Sequence, residues 1–148
     1  MSVGKERKNS GFIFHKSIII NEYVLFIRVT FMLVKKKMSN YNYQPSKSSL
    51  RADTVVEFVG LSLLEFKIHE IPGMGPASIQ KFSDHGIYTP AQIVAKFLSF
   101  VDSPDVTAQS VCEEFYNWAN PIMGKANTHN LTFALANYAG EHGLFRYE

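Results

Sequence analysis

From residue 49 onward, apolar residues recur at helical spacing, and no segment alternates as a strand would. In SSLRADTVVEFVG, Leu50, Val55, Phe58 and Val59 form one stripe, Ser48 or Ser49 offers an N-cap and Gly60 a stop, which predicts a helix over 49–59. LLEFKIHEI is apolar on one side at Leu64, Ile68 and Ile71 and reads as one or two turns running into IPGMGPASIQKF. There Pro76 occupies a first helical position, Ile79 and Phe82 face inward, and His85-Gly86 ends the element. Thr89-Pro90-Ala91-Gln92 is a clear start: a capping hydroxyl, a first-turn proline and a glutamine three residues on. Ile93, Val94, Phe97, Leu98 and Val101 then line a wide apolar face. Ser103-Pro104-Asp105 repeats the start signal for a helix carrying Ala108, Val111, Phe115 and Trp118, which should end near Asn120-Pro121. A loop, IMGKANTHN, precedes a last helix with Leu131, Ala134, Leu135 and Tyr138, stopping at His142-Gly143. The expected fold class is all-α, a small helical bundle.

The first segment reads differently. FIFHKSIIINEYVLFIRVTFMLV is long enough to cross a bilayer, but Lys16, Asn21, Glu22 and Arg28 interrupt it. Each charge near a membrane centre costs roughly 2.5 to 3.5 kcal/mol, which disfavours a spanning helix. It also lacks the small-residue cleavage site of a signal peptide. Residues 1–37 are therefore expected to be a non-native extension with Met38 as the natural start, the rival being a basic, apolar membrane-surface anchor. MSNYNYQPSKSS has the composition of a flexible tail over 38–48, which leaves 49–145 as the folded domain.

Charge sharpens that division. Residues 1–37 carry eight Lys and Arg against Glu6 and Glu22, net +6, and the remainder carries seven against eleven, net −4. A body of that sign binds nucleic acid through a few well-placed donors and not by bulk charge. A chain of 148 residues, nearly half of them apolar, is sized for one core. The single cysteine, Cys112, excludes an internal disulfide and a thiolate zinc site and makes an intracellular protein the default expectation.

The chemistry concentrates in IPGMGPASIQKF. Two glycines one residue apart, flanked by prolines and followed by a helix, suit a helix-hairpin-helix unit whose turn approaches another backbone closely. Unpaired N–H groups at the helix start, with the helix dipole, would face an anion such as a DNA phosphate, and Lys81 would add a charge. No side chain there is arranged to read base edges, so binding would be independent of sequence. The competing explanation is a plain structural turn.

From Glu57-Phe58-Val59 through IPGMGPASIQKF and HGIYTPAQIVAKFLSF, the chain resembles the barrier-to-autointegration factor family, small nuclear DNA-bridging proteins of animals. The likeness continues more loosely through EEFYNWA, the GKAN loop and LTFALANYAGEH, covering about residues 50–145. Gly73-Met74-Gly75 stands at the family's glycine-hydrophobic-glycine hairpin, and Lys81 matches a family lysine. The resemblance implies a five-helix subunit that dimerises through its later helices, so that one dimer holds two duplexes. It implies phosphate contacts from the amides of Gly73, Gly75, Ala77 and Ser78 around Met74, with Pro76 only shaping the turn. Arg51 and Thr54 fall at the start of the first helix, where the family binds DNA, and Thr54 replaces a family lysine.

Before the last helix this chain has Asn127, Thr128, His129 and Asn130 where the family is basic, with Lys125 the certain cation. Fewer phosphate cations imply a shallow salt slope and a reduced affinity. The helices over 90–101 and 104–120 carry more apolar surface than so small a domain should hide, and the resemblance puts a homodimer seam there, at Val94, Ala95, Leu98, Phe115 and Trp118. Ser48 and Ser49, with Ser46 and Thr54 nearby, are candidate phosphorylation positions whose added charge would repel DNA; the alternative is capping and solubility alone.

Other residues carry less. His15, His69, His85, His129 and His142 are scattered, form no metal-ligand pair, and are expected to face solvent. Glu113-Glu114 reads as a solvated face, and Cys112 has no cation beside it to make it a nucleophile. No cofactor and no enzymatic activity is expected. The expected function is sequence-independent bridging of double-stranded DNA by a homodimer, in chromatin organisation and nuclear envelope assembly. LEM-domain proteins, lamin and histones are the partners the resemblance implies, in the nucleus and also the cytoplasm. The alternative is a diverged nuclear protein-interaction module with weakened DNA binding, a reading that the acidic body favours.

Overall fold

The structure, a computed structural model, describes residues 41–145; the expectations for residues 1–37 lie outside them. Five α-helices are present among the described residues, α1 Ala52–Val59, α2 Pro76–Asp84, α3 Pro90–Leu98, α4 Ala108–Met123 and α5 Lys125–Glu141, with one short 3-10 turn before α1 and another between α1 and α2. The 3-10 turns are Pro45–Lys47 and Ile68–Glu70, and no strand occurs among the described residues. The chain is thus an all-α bundle.

Helix α5 is the centre. It packs against α4 most extensively, and also against α1, α3 and the Pro45–Lys47 turn. Its buried residues, Thr128, His129, Leu131, Thr132, Ala134 to Ala139, surround the axis instead of lining one face. A helix buried on all sides has no polar face to show, so the expected stripe through Leu131, Ala134, Leu135 and Tyr138 is only part of what it covers. Around it, Val55, Phe58, Phe82, Ile93, Phe97, Val111 and Phe115 close a single core.

Local signals hold where they are self-contained. Thr89 Oγ1 accepts the Gln92 N–H at 3.2 Å and Gln92 Oε1 accepts the Thr89 N–H at 3.0 Å, the reciprocal box expected of that stretch. Other boundaries move. Arg51, not Ser48 or Ser49, stands before α1, because both serines are engaged by Asn130 of α5. Ser103-Pro104-Asp105 forms a turn, and α4 begins after Thr107, whose Oγ1 accepts the Ser110 N–H at 3.1 Å. Pro121 does not end α4, since within its last turn the proline removes a single backbone bond. Nor is IMGKANTHN a loop: Gly124, at φ 88°, is the sole residue between α4 and α5. In LLEFKIHEI, Leu64 is 96% exposed, and Phe66 supplies the buried contact.

The expected tail is also corrected over 41–48. Tyr43 is 2% exposed, and the Glu113 carboxylate accepts the N–H groups of Asn42 at 3.0 Å and Tyr43 at 2.8 Å. Asn42 Nδ2 donates to Asn117 Oδ1 at 3.2 Å. Glu113 therefore holds the lead-in segment instead of facing water.

Candidate nucleic-acid interface

The turn before α2 is built by its own residues. The Met74 N–H donates to the Ile71 carbonyl at 3.0 Å, with Pro72 second and Gly73 third in the turn. Gly73 has φ 91°, the backbone state that a type II turn demands at this position. Space demands glycine as well: a Cβ here would lie 3.0 Å from Leu131 N, 3.1 Å from Asn127 O and 3.3 Å from Asn130 Cβ. The first glycine thus seats the turn on α5.

Gly75 differs. Its φ of −85° suits any residue, and a Cβ there would meet nothing within 4 Å. It precedes α2 without a side-chain cap, and its carbonyl accepts the Ile79 N–H at 3.0 Å. Among the described residues nothing accepts from the N–H groups of Gly75, Ala77 or Ser78. Pro76 and Ala77 are exposed, whereas Ser78 is 4% exposed and the Met74 side chain is buried in the core. Met74 is therefore a packing residue, and the open part of the helix start is Gly75 to Ala77. Lys81 is exposed one turn further along. The arm before the turn is the single 3-10 turn Ile68–Glu70, shorter than a paired helix.

Asn130 joins this turn to the start of α1. Its Oδ1 accepts the Ser49 N–H at 2.8 Å and the Ser48 hydroxyl at 3.0 Å, and its Nδ2 donates to Ser49 Oγ at 3.0 Å. Because its Cβ also faces Gly73, the residues before α1 and the turn before α2 are gathered on one stretch of α5. Lys125 lies at the start of that helix, and both Lys125 and Lys47 are near enough to lower the basicity of His129. The residues before α1 and the turn before α2 thus meet on α5, with Lys47 and Lys125 near His129 of the same helix, a combination suited to anions.

Acidic chemistry opposes it at one place. Arg51 is paired with Asp53 at 3.0 Å, and the other Asp53 oxygen accepts the Thr54 N–H at 2.9 Å. The Arg51 guanidinium and the Thr54 backbone N–H are thus already engaged by the Asp53 carboxylate.

The expected seam is only partly reachable. Val94 is 3% exposed and Phe115 0%, each consumed by the core of one chain. Ala95 is exposed, and Leu98 and Trp118 are half-buried. Ala95 and Trp118 border a shallow groove of about 400 Å³ with His85, Ile87, Gln92 and Lys96. Lys96 Nζ lies 4.7 Å from the Trp118 ring and 5.2 Å from that of Phe100, so a cation covers the aromatic surface. Among the described residues the large exposed apolar side chains are instead Tyr41, Leu64, Tyr88 and Leu144, none of them in the expected seam.

One histidine departs from expectation. His129 is 1% exposed, with its ring 4.6 Å from that of Tyr116 and 5.9 Å from that of Tyr43. Burial first, then the charges of Lys47 and Lys125, push its pKa down to about 4 against the pull of Glu113. His142 is exposed but stacks 4.2 Å from Tyr138, with Nε2 2.9 Å from the Val59 carbonyl. Neither environment is legible locally, because Gln44 lies 85 residues from His129 and Val59 lies 83 residues from His142. Cys112 is buried, and burial with the neighbouring Glu113 charge pushes its thiol up, the opposite of an activated nucleophile. No group of three or more His, Cys, Asp or Glu suited to a metal ion occurs among the described residues. Nor is any described helix long and apolar enough to cross a membrane.

No family model, curated protein or solved structure matches the chain.

Proposed function

We propose that the chain is a non-enzymatic, sequence-independent binder of double-stranded DNA, acting as a homodimer that bridges duplexes in chromatin and at the nuclear envelope. The observation that carries this reading is the uncapped start of α2, where the N–H groups of Gly75 and Ala77 have no described partner and the exposed Lys81 follows on the same helix. Glycine at 75 leaves room for a phosphate to approach the backbone. The resemblance to the barrier-to-autointegration factor family supplies the helix-hairpin-helix reading, the dimer, the nuclear and cytoplasmic location, and the partners: LEM-domain proteins, lamin and histones. With Val94 and Phe115 inside one chain's core, a seam over α3 and α4 would rest on Ala95, Leu98 and Trp118.

A salt titration of the 148-residue protein against a random duplex, beside Gly75→Glu with Lys81→Glu, tests it. Affinity that falls with salt and is lost in the double variant supports the phosphate site. The open space at Gly75 makes the added carboxylate harmless to folding, so loss of binding reports the interface. Absence of wild-type binding at low salt favours a second reading, a protein-interaction module with weakened DNA affinity. That alternative is supported by the net charge of −4 beyond residue 37 and by the engagement of Arg51 with Asp53.

A further inference from the structure

We propose that residues 41–47 form a proton-sensitive strap hinged at Ser48-Ser49, closed over the neutral His129 ring and released when that ring takes a second proton. The strap's contacts with the helices are specific. Glu113 of α4 accepts the N–H groups of Asn42 and Tyr43, and Tyr43 packs against the rings of Tyr116 and His129. The Gln44 N–H donates to His129 Nδ1 at 3.4 Å. Beyond Pro45–Lys47, Asn130 holds Ser48 and Ser49 in place, which fixes the hinge.

The direction of the Gln44 bond sets the switch. Accepting it requires a lone pair on Nδ1, so the ring's one proton lies on Nε2. A second proton turns Nδ1 into a donor facing a donor, and the bond to the strap is lost. Nε2 is buried without any hydrogen-bond partner, so the imidazolium would also carry an unsolvated N–H in the closed state. Opening exposes both nitrogens to water.

The groups facing His129 reinforce that asymmetry. Lys47 on the strap and Lys125 on α5 oppose a positive ring; Glu113 on α4 favours it, and the Tyr43 and Tyr116 rings offer little solvation. Burial and the lysines prevail, holding the closed-state pKa near 4. A ring released to water titrates near its ordinary value of about 6.5, so the opening constant should rise up to about tenfold per pH unit as pH falls through this window. Above about pH 6.5 the strap stays shut. The inference is independent of DNA binding.

Residue-resolved amide exchange of the 148-residue protein between pH 7.5 and 5, normalised to the intrinsic rate at each pH, tests it. The Tyr43 and Gln44 protection factors should be constant above about pH 6.5 and fall towards tenfold per unit below it, while amides of α4 keep theirs. His129→Gln should abolish this dependence. Lys47→Glu, at an exposed position, replaces a charge that opposes protonation of the closed ring by one that favours it, so the fall should begin at the same pH but level off sooner and be smaller. Constant wild-type protection across the range overturns the proposal, as does a Lys47→Glu profile superimposable on the wild type.

Discussion

The two turn glycines look alike in the chain and have different duties. Gly73 combines φ 91° with a Cβ site 3.0 Å from the Leu131 nitrogen, so Gly73→Ala requires a backbone shift as well as a strained dihedral. It should cost about 2 kcal/mol or more in denaturant unfolding, while Gly75→Ala should stay within about 0.5 kcal/mol. Equal losses at the two sites would contradict the packing account. Cys112 offers a second test at this scale. Buried and with its thiol held protonated, it should resist alkylation in the folded protein at neutral pH and react only on unfolding. The proline-glycine spacing was visible in IPGMGPASIQKF. That one glycine is consumed by contact with Asn127 to Leu131 was not, because nothing in the local pattern names a partner more than 50 residues away.

Among the elements, α3 shows how much a short stretch can decide. Thr89, Pro90 and Gln92 act within one turn, and both reciprocal bonds form as the spacing predicts. Removing the hydroxyl by Thr89→Ala should cost about 1 kcal/mol, read as a lower denaturation midpoint with an unchanged m-value. Helices α4 and α5 illustrate the opposite. Their boundary was hidden by Pro121 and by the polar run at 124–130, both of which suggest a loop. Gly124 reverses the chain in a single residue, and the polar run becomes helix because Thr128 and His129 are buried by neighbouring elements. Amphipathic periodicity marks a helix with one wet face, and a central helix has none.

For the molecule as a whole, charge and protonation set the testable behaviour. In the folded chain His129 titrates near pH 4, below its ordinary value, so between about pH 6.5 and 4 the unfolded chain binds more protons than the folded one. Its contribution to stability is complete above that window and is lost as pH falls through it. Equilibrium unfolding should show the loss in wild type, and His129→Gln should flatten that component. Under the DNA-binding reading, Asp53 is the residue that most directly withholds Arg51 and Thr54 from phosphate. Asp53→Asn should therefore tighten binding to a random duplex several-fold at low salt and steepen the salt slope by about one. An unchanged slope would remove α1 from the interface.

The sequence by itself determined an all-α body, the position of the α2 turn and the start of α3, since each follows from contacts within a few residues. It also located the glycine turn and its following lysine, the core of the candidate site. Only the tertiary structure decided that residues 41–48 are docked, that Met74, Val94 and Phe115 serve the core, that His129 is enclosed, and that Asn130 joins two helix starts. The reason is physical: periodicity and capping report which way a side chain points along its own element. Burial and pairing depend on what another part of the chain brings to that face.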